Sequence, residues 1–245
     1  MHKILPLLFC FTVCLTLSSR AQFAIDVESG AAFTGYNEIQ VPGGEGTRFE
    51  LTDQLDVNNS FFYRIRLLYT LNNKHTFSVL YAPLNIKAQG YTTKDINFAE
   101  QIFSTADALN ASYKFNSYRF TYRYLFPRTG NFQFGLGATA KIRDAKIELE
   151  DNEKSASTTD LGFVPLINFR AEWFAKEKLS VLLQGDALVG KQGRAEDIFL
   201  GGLFYPNEDV SLKLGYRILE GGADVDQVYN FSLIHYAVIG ATVSF

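Results

Sequence analysis

Apolar and polar residues alternate one by one along segment after segment of this chain, and that period of two fits a strand. Beyond residue 21 no apolar run approaches the roughly 20 residues that a membrane-spanning helix needs. The last segment shows the pattern. Tyr229, Phe231, Leu233, His235, Ala237, Ile239, Ala241, Val243 and Phe245 fall on one face, and Asn230, Ser232, Ile234, Tyr236, Val238, Gly240, Thr242 and Ser244 on the other. Phe61, Tyr63, Ile65, Leu67 and Tyr69 likewise oppose Arg64 and Arg66, and Tyr118, Phe120, Tyr122 and Tyr124 oppose Arg119 and Arg123. Phe132 to Ile142 opposes Lys141 and Arg143, Phe163 to Trp173 opposes Arg170 and Glu172, and Leu179 to Val189 opposes Gln184 and Asp186. Phe199, Leu203 and Tyr205 share a face with Gly201 and are assigned to the apolar side. The alternation breaks near Pro83 and near Asn116-Ser117, where a bulge or bend is expected to restore register.

Ten strands follow, at about 23–35, 61–71, 75–89, 108–126, 131–144, 161–174, 179–189, 197–205, 210–220 and 229–245, with eight as the alternative count. Short polar turns at Asn72–Lys74, Pro127–Gly130, Lys176–Lys178 and Pro206–Asp209 alternate with longer polar or glycine-rich stretches near 37–60, 90–107, 145–160, 190–196 and 221–228. In hydrocarbon a strand edge has no hydrogen-bond partner, so a sheet that crosses a bilayer must close on itself. The expected fold is all-β: a closed antiparallel transmembrane up-and-down barrel, short turns at one end and long loops at the other. Aromatic residues beside the short turns, namely Tyr69, Phe77, Tyr124, Phe126, Phe132, Trp173, Tyr205 and Phe245, make an interfacial girdle that a soluble sandwich or lipocalin has no reason to build.

Residues 1–21 carry a charged start, an apolar run from Ile4 to Leu17 and small residues near Ala21, the pattern of a cleaved secretory signal peptide, which leaves 22–245 as the barrel. That remainder holds no cysteine or methionine and has 21 Lys plus Arg against 26 Asp plus Glu, a formal charge of −5. A cysteine nucleophile, a zinc–cysteine site and a mature disulfide framework are excluded there, and a nucleic-acid partner is disfavoured. No cofactor motif is present.

The chain ends Gly240-Ala-Thr-Val243-Ser-Phe245. This resembles the C-terminal signal of small Gram-negative outer-membrane β-barrel proteins, the OmpA- and OmpW-like group. The stretches Tyr113–Tyr124 and Gly215–Asp224 resemble motifs of uncharacterised barrels in that group. The resemblance implies an outer-membrane location and contact with outer-membrane lipid and lipopolysaccharide. It also implies assembly by the barrel-assembly machinery, with Gly240, Val243 and Phe245 as the signal. Val238 stands where a polar residue is usual.

Function would sit on the inward face. Its expected cations are Arg64, Arg66, Arg119, Arg123, Lys141, Arg143, Arg170, Lys213 and Arg217, and its expected acids Asp26, Glu28, Glu172, Asp186 and Glu196. Two readings stay open: a lumen plugged by ion pairs, and a basic lumen or narrow pore that takes an anionic small solute. The alternative class is an outer-membrane enzyme acting on envelope lipid, like a lipid A deacylase. His235 would lie near the outer interface in that reading, but no serine follows it at the required spacing and no complete catalytic constellation appears. Asp224-Val-Asp226 has alternate-acid spacing without the remaining calcium ligands, which is ordinary turn chemistry. Phe98, Ile102, Ala106 and Leu109 recur near helical spacing, so either a short helix over the mouth or an extension of the next strand fits.

Overall fold

The computed structural model describes residues 21–191 and 193–245, so the expected signal peptide lies outside the described residues apart from its last position. Ten antiparallel strands close into a barrel: β1 (Ala21–Gln40), β2 (Ser60–Leu71), β3 in two segments (His75–Ala82 and Asn85–Gly90), β4 (Leu109–Leu125), β5 (Phe132–Glu150), β6 (Ser155–Lys176), β7 (Leu179–Gly190), β8 (Gly193–Phe204), β9 (Val210–Val225) and β10 (Val228–Ser244). Each strand pairs with its chain neighbour, and β10 pairs with β1 from Ala24 opposite Ser244 onward, which removes both sheet edges. The three-residue β2–β3 turn, closed by Lys74 N to Leu71 O at 3.1 Å, holds Asn72 and Asn73 at φ of 53° and 56°, a conformation that asparagine tolerates.

Along β5 the odd-numbered side chains point inward throughout and the even-numbered ones outward. The outward row runs apolar through Phe132, Phe134, Leu136, Ala138, Ala140 and Ile142, then turns polar at Asp144, Lys146, Glu148 and Glu150. The inward row does the reverse, from Thr139, Lys141 and Arg143 to Ile147 and Leu149. Eleven residues from Phe132 to Ile142, at about 3.3 Å each and a tilt near 45°, make a band about 25 Å tall, the height of a bilayer core. Above that level the outside meets water and the inside must be apolar.

This inversion corrects the two expected phase breaks. On β4, Tyr118, Phe120 and Tyr122 face out below the boundary and Lys114, Ser112 and Asn110 above it, and the register with β5 runs without a shift from Leu125 to Asn110. On β3, Phe77, Val79 and Tyr81 give way outward to Asn85, Lys87 and Gln89. Ala82 lies opposite Ser117 and Asn85 opposite Lys114, the same register on both sides of Pro83. The solvent changes there and the register does not. A bulge does occur in β1, between Thr34 and Tyr36.

Three of the expected loops are strand. β5 and β6 stay paired to Glu150 opposite Ser155, β7 and β8 to Gly190 opposite Gly193, and β9 and β10 to Val225 opposite Val228. The β5–β6 hairpin turns Lys146, Glu148 and Glu150 outward, and its Ile147, Leu149 and Ala156 are buried inside. Two true loops remain, 41–59 and 91–108. The first carries one helical turn, Leu51–Gln54, and the second a separate hairpin, Ile96–Phe98 with Gln101–Phe103, in place of either the short helix or the extension of the next strand that the spacing allows. Ile96, Phe98 and Phe103 are buried and Ile102 is exposed, a strand's alternation. The loops bind each other through Thr47 N to Asn97 O at 2.8 Å and Ala99 N to Val41 O at 3.0 Å. Their side chains Phe49, Leu51, Leu55, Ile96 and Phe98 join Ile39, Ile86, Leu109 and Leu149 in one apolar cluster that caps the barrel.

Candidate functional site: the charged lumen

Below the cap, at the level of the apolar outer band, the interior is a layer of ion pairs. Asp197 on β8 is its hub. One carboxylate oxygen accepts from Arg217 Nη1 at 2.5 Å, and the other accepts from Arg64 Nη2 at 2.9 Å and forms an ion pair with Arg119 Nη2 at 2.6 Å. Arg119 also donates to Asp186 at 2.7 Å, and Asp186 further accepts from Thr139 Oγ1 at 2.6 Å and Asn168 Nδ2 at 2.8 Å. Glu28 takes Arg217 Nη2 at 2.8 Å and Lys213 Nζ at 3.0 Å, and Lys213 also reaches Asp26 at 2.7 Å. These side chains are only 2–8% exposed and come from β1, β2, β4, β7, β8 and β9, so the network crosses the barrel from wall to wall. Toward the short turns, Glu172 accepts from Arg170 at 2.6 Å, from Ser180 at 2.5 Å and from Tyr205. Toward the cap, Arg143 pairs with Asp160.

Of the fourteen side chains expected on the inward face, thirteen lie there, all but Glu196, and eleven of them are in ion pairs. The other two, Arg123 and Lys141, make none among the described residues. Arg123 has a long 3.5 Å contact to Asn168 Oδ1, and Lys141 Nζ lies 4.8 Å from the centre of the Phe115 ring.

The sequence reading placed Glu196 inward and missed Asp197. The cause is β8, where both faces are apolar. Phe199 and Leu203 are buried in the lumen, and Leu200 and Phe204 face out. What draws Phe199 inward is space. Gly201 and Gly215 pair directly across β8 and β9, and a Cβ on either would lie 2.5 Å or 2.8 Å from the Phe199 ring. Asp197 shares that face. Tyr205 leaves the expected girdle for the same reason and turns its hydroxyl to Glu172. Tyr69, Phe77, Tyr124, Phe126, Phe132 and Trp173 keep aromatic neighbours, as in Phe132 against Trp173 at 6.4 Å and Tyr124 against Phe126 at 5.1 Å.

His235 faces out from β10, stacks on Tyr216 at 5.9 Å and meets the Tyr216 hydroxyl through Nδ1. No serine or carboxylate side chain bonds it among the described residues. Gly240, Val243 and Phe245 close the barrel seam: Gly240 pairs with Glu28, Val243 with Ile25, and Phe245 N donates to Phe23 O at 2.8 Å.

No protein-family model matches the chain, and no curated protein matches it in sequence. Among solved structures, the outer membrane protease OmpT of Escherichia coli superposes with a TM-score of 0.57 at 9% identity, covering 94% of this chain and all of the other. The translocator domain of the autotransporter NalP from Neisseria meningitidis gives 0.47 at 12% identity over 98% and 94% of the two chains. Neisserial surface protein A gives 0.39 at 16% identity over 93% of this chain and all of its own. At these identities the likeness concerns the fold alone, and the OmpT superposition carries it. With the closed ten-strand topology and the apolar outer band, the chain has the fold of the Gram-negative outer-membrane β-barrels.

Proposed function

We propose that this protein is a closed, non-conducting outer-membrane barrel that serves as a structural or binding scaffold for its capped outer end. The observation that carries this reading is the wall-to-wall layer built on Asp197, Glu28 and Asp186, roofed by the apolar cluster of the two long loops. The cavity beside Arg64 and Arg119, of about 10 Å³, has room for about one water. Such a layer leaves no continuous path for a solute. The lumen is net basic in this reading: nine inward cations, Arg123 and Lys141 among them, face six acids, Asp26, Glu28, Asp160, Glu172, Asp186 and Asp197.

Lipid and lipopolysaccharide are the partners of the outer band, and the barrel-assembly machinery that of Gly240–Phe245. The pairing of His235 with Tyr216 favours the scaffold over an enzyme acting on envelope lipid. Planar-bilayer recording of the refolded chain tests the reading. No steady conductance is expected. An anion-preferring current would replace the plug with a narrow pore, and a cation-preferring current would overturn the basic lumen as well.

A further inference from the structure

We propose that the lumen holds one small monovalent anion, of chloride size, between Arg66 and Arg123. Both arginines line a buried cavity of about 20 Å³. A single water needs roughly 10–15 Å³ by the same measure, so the space fits a monatomic anion and excludes phosphate, sulfate or an organic acid.

Charge supplies the second observation. Arg123 is 9% exposed, and among the described residues its Nε has no hydrogen-bond partner and its one side-chain hydrogen bond is the 3.5 Å approach to Asn168. Arg66 has one ion pair among the described residues, a long 3.8 Å approach to Asp26. A guanidinium stays charged in a protein, so burial without a counterion is costly and deprotonation offers no escape. Asp186 and Asp197 also reach the cavity, but every oxygen of both is occupied by Arg64, Arg119, Arg217, Thr139 or Asn168. Turning either carboxylate toward Arg123 would strand another arginine. Ser78, on the same wall and 8% exposed, has a hydroxyl with no bond among the described residues and supplies a neutral donor. Two guanidinium groups and a hydroxyl around one water-sized space make an anion site. The proposal concerns the interior alone and stands whether or not the barrel conducts.

The test measures the urea-unfolding midpoint of the full chain refolded in detergent, in sodium bromide and in sodium gluconate at equal ionic strength. Bromide should raise the midpoint saturably, because a ligand bound only by the folded state stabilises it. Gluconate is too large to enter. Arg123→Met should lose the bromide increment. Equal midpoints in the two salts, or an increment that survives in Arg123→Met, would overturn the proposal. Crystals of the unchanged protein grown in sodium bromide give a readout that needs no variant. An anomalous peak between Arg66 and Arg123 supports the site, and its absence there shows that the cavity holds water only and ends the proposal.

Discussion

Phe199 and Arg217 stand directly opposite each other on β8 and β9, with the guanidinium carbon 5.3 Å from the centre of the ring. The ring sits over the Gly201–Gly215 pair, and the guanidinium it supports reaches Asp197, two residues back on the same face of β8. An apolar residue thus sets the position of the buried charge network, because it decides which way β8 faces.

Asp197→Asn should destabilise the barrel by about 3–5 kcal/mol, since it strips the shared countercharge from Arg64, Arg119 and Arg217, whose side chains are only 2–5% exposed. Glu196→Gln, on the opposite face, should stay within about 0.5 kcal/mol. Urea unfolding of both variants in detergent decides it. Equal effects would reverse the assigned facing of β8.

The membrane boundary on β5 and β6 predicts a contrast between two outward positions. Ala138→Arg, in the middle of the apolar band, should cost about 2–4 kcal/mol in lipid. Ser157→Arg, exposed above the band, should cost about 0.5 kcal/mol or less. Refolding titrations into phospholipid vesicles measure both. A comparable cost at Ser157 would move the boundary upward.

Single cysteines in this otherwise cysteine-free barrel test its orientation. Asn152 and Thr93, at the capped end, should label on intact cells, and Asn73 and Glu177, in the short turns, should not. The reverse pattern would turn the barrel over.

Asp151 makes a pH-dependent turn at the tip of the β5–β6 hairpin. One carboxylate oxygen accepts from Glu153 N at 2.8 Å and Lys154 N at 2.9 Å, and these backbone donors hold the carboxyl below its ordinary value of 3.8. A depressed folded pKa contributes stability above the unfolded value, and that stability is lost as pH falls through the folded one. Amide protection at Glu153 and Lys154 should therefore be flat near neutrality and fall on acidification below pH 3.8. Asp151→Asn, which keeps the acceptor without the titration, should flatten the profile. An acid loss that persists in that variant would place its cause elsewhere.

Deleting Phe245 should lower the amount of protein reaching the outer membrane and leave detergent refolding largely intact. The residue adds one backbone bond to the seam, and the resemblance assigns it to the assembly signal. Normal surface levels of the truncated chain would remove that role.

Much of the fold is legible in the residues because period-two alternation is a local property. It sets strand content and a ten-strand count. It also sets the facing of every strand whose two faces differ in polarity, as Arg64 and Arg66 against Phe61 to Tyr69 show. It fails on β8, where Phe199 and Leu203 oppose Leu200 and Phe204 and polarity offers no contrast. Asp197 was lost with that facing.

Alternation alone determined that this chain forms a closed barrel with charge inside and aromatics outside at membrane level, because each strand carries both faces in its own residues. The tertiary structure decided what each face meets. The polar rows at Asn85–Gln89 and Asp144–Glu150 read as loops or slipped register until the two long loops fold over the mouth and make the interior there apolar. Only barrel closure brings Arg119 of β4 to Asp197 of β8, four strands away around the ring. That pairing has no sequence signal, since it depends on strand tilt and stagger, which arise when β10 meets β1.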